Sequence, residues 1–128
     1  MNNGISPTVT SFLRDHIGSI EILEVLLLFH REPATTWTSD AAAAELRIQP
    51  RSTAGRCAAL LKIGLLKQQQ DAFQFDGSSS LARVVEELAE AYRIRRVTII
   101  EMIFSKPVES SRLFADAFVL RKGGGPDG

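Results

Sequence analysis

Between Trp37 and Phe75 the chain spells out a short helix, a tight corner, a second helix and a pair of β-prone segments, and this order constrains the fold more than any other feature. Thr38 is a candidate N-cap, and Asp40 falls in the first turn after it, where a carboxylate suits the helix dipole. The segment Ser39 to Leu46 is alanine-rich and short. After Arg47-Ile48-Gln49 comes Pro50, at a first helical position that tolerates a missing N–H. The second helix then runs through Ile63 to Gly64, a residue suited to the left-handed conformation that ends helices. Leu65 to Gln69 and Phe73 to Phe75 can pair across Gln70-Asp71-Ala72 as a hairpin, although the turn lacks the Asn-Gly or Gly signature of the strongest hairpins. The expected class is mainly α with a small β-hairpin.

The flanks extend this unit. Residues 1–7 read as a flexible N-terminus that ends in Ser6-Pro7, a helix start. Val9, Phe12, Leu13 and Ile17 then recur at helical spacing. Gly18-Ser19 interrupts and caps a second helix, whose Ile22, Leu23, Val25, Leu26, Leu28 and Phe29 leave little polar surface and place it at the centre of the core. It should stop before Pro33. After a linker at 76–80, the stretch Leu81 to Phe104 contains neither proline nor glycine and predicts one long helix of roughly 36 Å. Lys106-Pro107 breaks it, Val108 to Leu120 predicts a final short helix, and residues 122–128 form a glycine-rich tail. The expected division is a domain at 8–76 and a helical extension at 77–121.

Composition narrows the functional classes. A chain of 128 residues with 15 basic and 15 acidic side chains has no net field to draw it onto nucleic acid, so any DNA contact must come from a local patch. The apolar run Val25 to Phe29 is too short to cross a bilayer. Cys57 is the single cysteine, which excludes an internal disulfide, and the polar start lacks secretory features, so a cytoplasmic protein is expected. On an inward helix face Cys57 reads as a small hydrophobe, while Trp37 reads as a plug at the core edge. His16 and His30 have no metal-ligand pattern around them, and no phosphate loop or nucleophile motif occurs. The expectation is a non-enzyme without cofactor or metal.

The succession of Trp-Thr-Ser-Asp, Leu-Arg-Ile-Gln-Pro, a second helix, Ile-Gly-Leu-Leu and a hairpin resembles the winged helix-turn-helix superfamily, including MarR-like bacterial transcriptional regulators, over about residues 19–76. The resemblance implies that the helix Pro50 to Ile63 enters the major groove of duplex DNA. Thr53, Cys57, Leu60 and Leu61 would then face inward, and Arg51, Ser52, Gly55, Arg56, Ala59 and Lys62 outward. Lys67 would be the wing's cation, beside the amides and carboxylate of Gln68-Gln69-Gln70-Asp71. Arginines at 51 and 56 suit guanine edges or phosphates. Winged helices also serve as protein-interaction modules. The same small face around Gly55 and Ala59, or the apolar end Ile94 to Phe104, would then dock a protein.

Three cations give one domain little affinity, so pairing two domains would help. The long helix offers a seam for a homodimer: Leu81, Val85, Leu88, Tyr92, Arg95, Ile99 and Met102 follow alternating steps of four and three. Leu88, Tyr92, Arg95, Ile99, Met102 and Ile103, with Phe114 and Phe118 of the final helix, are the expected interface. Arg93, Arg95 and Arg96 are expected to pair with nearby glutamates among Glu86, Glu87, Glu90 and Glu101.

Overall fold

The computed structural model describes residues 4–105. The final helix expected at 108–120, with Phe114 and Phe118, and the tail at 122–128 lie outside the described residues. Within them the chain forms α1 (Pro7–His16), α2 (Ile20–Arg31), β1 (Trp37–Thr38), α3 (Ser39–Leu46), α4 (Pro50–Lys62), β2 (Leu66–Gln69), β3 (Ala72–Phe75), α5 (Ala82–Ile94) and α6 (Arg96–Phe104). It is a mainly helical body with a small antiparallel sheet.

Helix starts follow the local chemistry. The Ser6 hydroxyl accepts from the Val9 N–H at 3.2 Å, Ser19 accepts from Ile22 at 3.3 Å, and Thr38 accepts from Ala41 at 3.0 Å. Each satisfies one of the N–H groups that a helix leaves unpaired at its start. α4 opens on Pro50 and ends just before Gly64, whose φ of +86° lets the Leu65 N–H reach back to the Leu60 carbonyl at 3.0 Å. Between α3 and α4 the chain turns at Arg47, which adopts the left-handed φ of 60° and ψ of 47° usually left to glycine or asparagine.

α2 is the central element. Leu23, Val25, Leu26 and Phe29 are fully enclosed, and α2 packs against α3, α4, α5 and β3. Burying side chains of this size contributes about 1.5–3 kcal/mol each. α1 covers the other flank, against α5 and α6. Its start lies further inside than the sequence suggests. Ile5, within the stretch expected to be a flexible lead, is 1% exposed and joins the core. Gly4 has φ +77°, and a Cβ there would lie 2.7 Å from the Arg95 Cζ, so the chain's entry runs beneath that guanidinium.

The sheet is larger than the hairpin expected. β3 is its middle strand, paired with β2 from Leu66↔Phe75 to Gln69↔Ala72 and with β1 through Trp37↔Phe73 and Thr38↔Ala72. β1 is only two residues long, and its pairing is a non-local event that local patterning does not announce. The hairpin turn is Gln70-Asp71, one residue tighter than expected, and Gln70 takes φ +57°. A glutamine in that region carries strain that glycine lacks. Gln70→Gly is expected to raise stability by about 0.5–1 kcal/mol in chemical denaturation. A loss of stability would show that the side chain does more than occupy the turn.

The long helix expected from Leu81 to Phe104 is two helices. The chain breaks at Arg95, with φ −126° and ψ 53°, although no proline or glycine is near. The break swings α6 so that Ile99 and Ile103 enter the core, at 0% and 4% exposure. α6 packs on α1 and α5. Its β-branched run Val97-Thr98-Ile99-Ile100 has modest helix propensity, so tertiary burial decides its direction. No helix among the described residues is long and apolar enough to cross a membrane.

Candidate nucleic-acid interface and the α6 surface

Packing sorts the residues of α4. Thr53, Cys57 and Leu60 are buried, and Thr53 donates its hydroxyl proton to the Gln49 carbonyl at 2.9 Å. Leu61, expected inward, is only half-buried. Burial pushes the Cys57 thiol up to about 11, so it is protonated and inert at neutral pH. Arg51, Gly55, Ala59 and Lys62 are exposed, as is Lys67 on β2. The sequence of α4 contains no acidic residue, so its open side is uniformly basic or neutral.

Ser52 and Arg56 are less open. Both are tied to Glu21 in the first turn of α2. The Ser52 hydroxyl donates to Glu21 Oε1 at 2.6 Å, and the Arg56 Nε donates to the same oxygen at 3.0 Å. Ser52 first, then the Arg56 hydrogen bond and charge, hold the Glu21 carboxyl below its ordinary value of 4.5, against the opposing effect of burial. Glu21 is 26% exposed and Arg56 39%, so water still reaches the pair. Nothing in the local sequence links these residues, which lie 31 and 35 positions apart. A glutamate at the start of a nearly all-apolar helix was the only available signal.

A depression opens beside this carboxylate, lined by Glu21, Arg47, Ile48, Gln49 and Pro50, and an adjoining one is lined by Gln49, Pro50, Arg51 and Ser52. Gln49 makes no side-chain cap at the start of α4, where Pro50 has no N–H to pair. Arg47 was not among the residues singled out from sequence. It sits at the corner between α3 and α4, exposed, where its left-handed conformation places it.

The expected subunit seam is placed differently. Leu88, Ile99 and Ile103 fill the core of the same chain, at 0%, 0% and 4% exposure, and so are not a surface. Tyr92 is half-buried with Arg96 stacked over its ring at 5.0 Å, and Met102 is half-buried against the core. Arg95 is exposed and lies across Gly4 rather than within a seam. Arg93 pairs with Glu90 at 2.6 Å on the outside of α5. Among the described residues the large apolar side chains that face solvent are Ile94, Val97 and Phe104, at 60%, 67% and 71%. Val97 and Phe104, with half-buried Ile100 between them, fall on one face of α6.

Among the described residues no cluster of three or more histidine, cysteine, aspartate or glutamate side chains is arranged to hold a metal. Trp37 packs at the core edge with its indole Nε1 buried and unpartnered. The chain matches no family model, and no significant match was found among curated proteins or solved structures.

Proposed function

We propose that the chain is a winged helix-turn-helix that acts as a non-enzymatic, cytoplasmic regulator of transcription, binding duplex DNA as a homodimer. In this reading α3 and α4 form the helix-turn-helix and β2–β3 the wing. The observation that carries it is the open side of α4. Arg51, Gly55, Ala59 and Lys62 face solvent on a helix without a carboxylate, with Arg47 at its entry and Lys67 beyond its end. Small residues between the cations let the helix approach a groove closely, and arginine fits the donor and acceptor pattern of guanine.

Arg51→Ala is expected to cost about 1–3 kcal/mol on preferred sequences and to flatten base preference at one position. Lys62→Ala is expected to weaken binding evenly across sequences and to lower the slope of log K against log salt by about 0.9. Titration of both variants against a randomised duplex pool checks this. Unchanged binding in both removes α4 as the DNA surface.

A second reading keeps the fold and makes it a protein-interaction adaptor. Glu21 neutralises Arg56, and the wing tip carries Gln68, Gln69, Gln70 and Asp71, both of which weaken the attraction to phosphate. Failure of the wild-type chain to bind any duplex at low salt favours it.

A further inference from the structure

Ser52 and Arg56 are four residues apart and so share a face of α4, Ser52 in its first turn and Arg56 at its middle. A hydroxyl and a guanidinium converging on one oxygen, at 2.6 and 3.0 Å, form the donor pair that proteins use to hold a phosphate oxygen. Here the oxygen is the chain's own Glu21. The carboxylate does not close a sealed interior pair, because it is a quarter exposed and borders the depression lined by Arg47, Gln49 and Pro50. An anion entering there would meet Arg47, with Arg51 and Ser52 lining the adjoining depression.

We infer that Ser52 and Arg56 form a phosphate seat that Glu21 occupies in the free protein, so that Glu21 sets an upper limit on phosphate affinity and is displaced when a backbone phosphate binds. The inference rests on the proposed reading of α4 as the DNA surface and deepens it, assigning to α2 a residue that attenuates binding. The Arg56 Nε–H holds Glu21 at 3.0 Å on a side chain that is 39% exposed, so a phosphate could take the carboxylate's place from the solvent side. Removing the Glu21 charge frees one cation and withdraws one negative charge from the path of the phosphate.

The test is Glu21→Gln in the full chain, with Arg56→Ala and the double variant. Glutamine preserves the size of the side chain and an acceptor for Ser52, and a denaturation curve establishes that each variant is folded. Glu21→Gln is expected to bind a randomised duplex about tenfold more tightly, with the salt slope steeper by about 0.9, and Arg56→Ala in the same chain should cancel both effects. Unchanged or weaker binding overturns the inference, since weaker binding would make Glu21 a brace that aims Arg56. If no form binds duplex, the DNA reading fails by itself. The seat is then judged with inorganic phosphate followed by NMR, where an Arg56-dependent shift in Glu21→Gln that exceeds that of the wild type supports it and an equal shift overturns it.

Discussion

Leu88→Ala is expected to lower the stability of the chain by about 2–5 kcal/mol, and by the same amount at every protein concentration. Leu88 is fully enclosed by its own chain, on the face of α5 that also buries Val84 and Val85 against α1 and α2. Truncating it leaves a cavity that the surrounding helices close only in part, which adds to the lost transfer free energy. A residue serving a subunit interface would behave otherwise. Its truncation would act on the dimer, so the apparent loss would be absent in dilute protein and grow as the protein is concentrated. Denaturation curves recorded across a wide concentration range separate the two. A loss that varies with concentration would return Leu88 to the interface.

Val97→Asp is expected to have the opposite profile. Val97 is two-thirds exposed on α6, in line with Ile100 and Phe104, and close to exposed Ile94 across the break at Arg95. Large apolar side chains that cluster at a surface mark contacts with other molecules. If two copies pair through this strip, an aspartate there is a buried unpaired charge, and the dimer Kd should rise about a hundredfold or more. The stability of the separate chain should stay within about 0.5 kcal/mol of the wild type, because nothing in its core is touched. Sedimentation of wild type and variant measures the first, and dilute denaturation measures the second. A wild-type chain that sediments as a monomer at high concentration removes the pairing proposal, and with it the doubling of cations that the proposed DNA binding calls for.

The parts of the fold that were legible in the sequence are those fixed by neighbouring residues. Ser6, Ser19 and Thr38 cap helices where expected, Pro50 opens α4, and Gly64 closes it with a positive φ, since each effect spans no more than one helical turn. Contacts set by distant residues were not legible. Thr35-Thr36-Trp37 is a short β-prone stretch by composition, but that Trp37-Thr38 pairs with β3 is set by distant residues. The break at Arg95 has no proline or glycine to announce it and arises because Ile99 and Ile103 gain more by entering the core than by continuing the axis of α5. Periodicity marks Leu88, Ile99 and Ile103 as a covered apolar face but does not say by what, and in the fold they are covered by their own chain. For the same reason the outward side of α4 was read correctly at Arg51 and Lys62, whereas the tether from Ser52 and Arg56 to Glu21 needed three dimensions to appear.

The Arg95 guanidinium lies over Gly4, at the start of the described chain. Any side chain at position 4 would require a left-handed backbone and would collide with Arg95, the hinge between α5 and α6. The atoms met are the far end of an exposed, flexible arginine that can swing aside, so the lasting cost of a side chain at position 4 is its left-handed backbone, and α6 keeps its seat on α1 and α5.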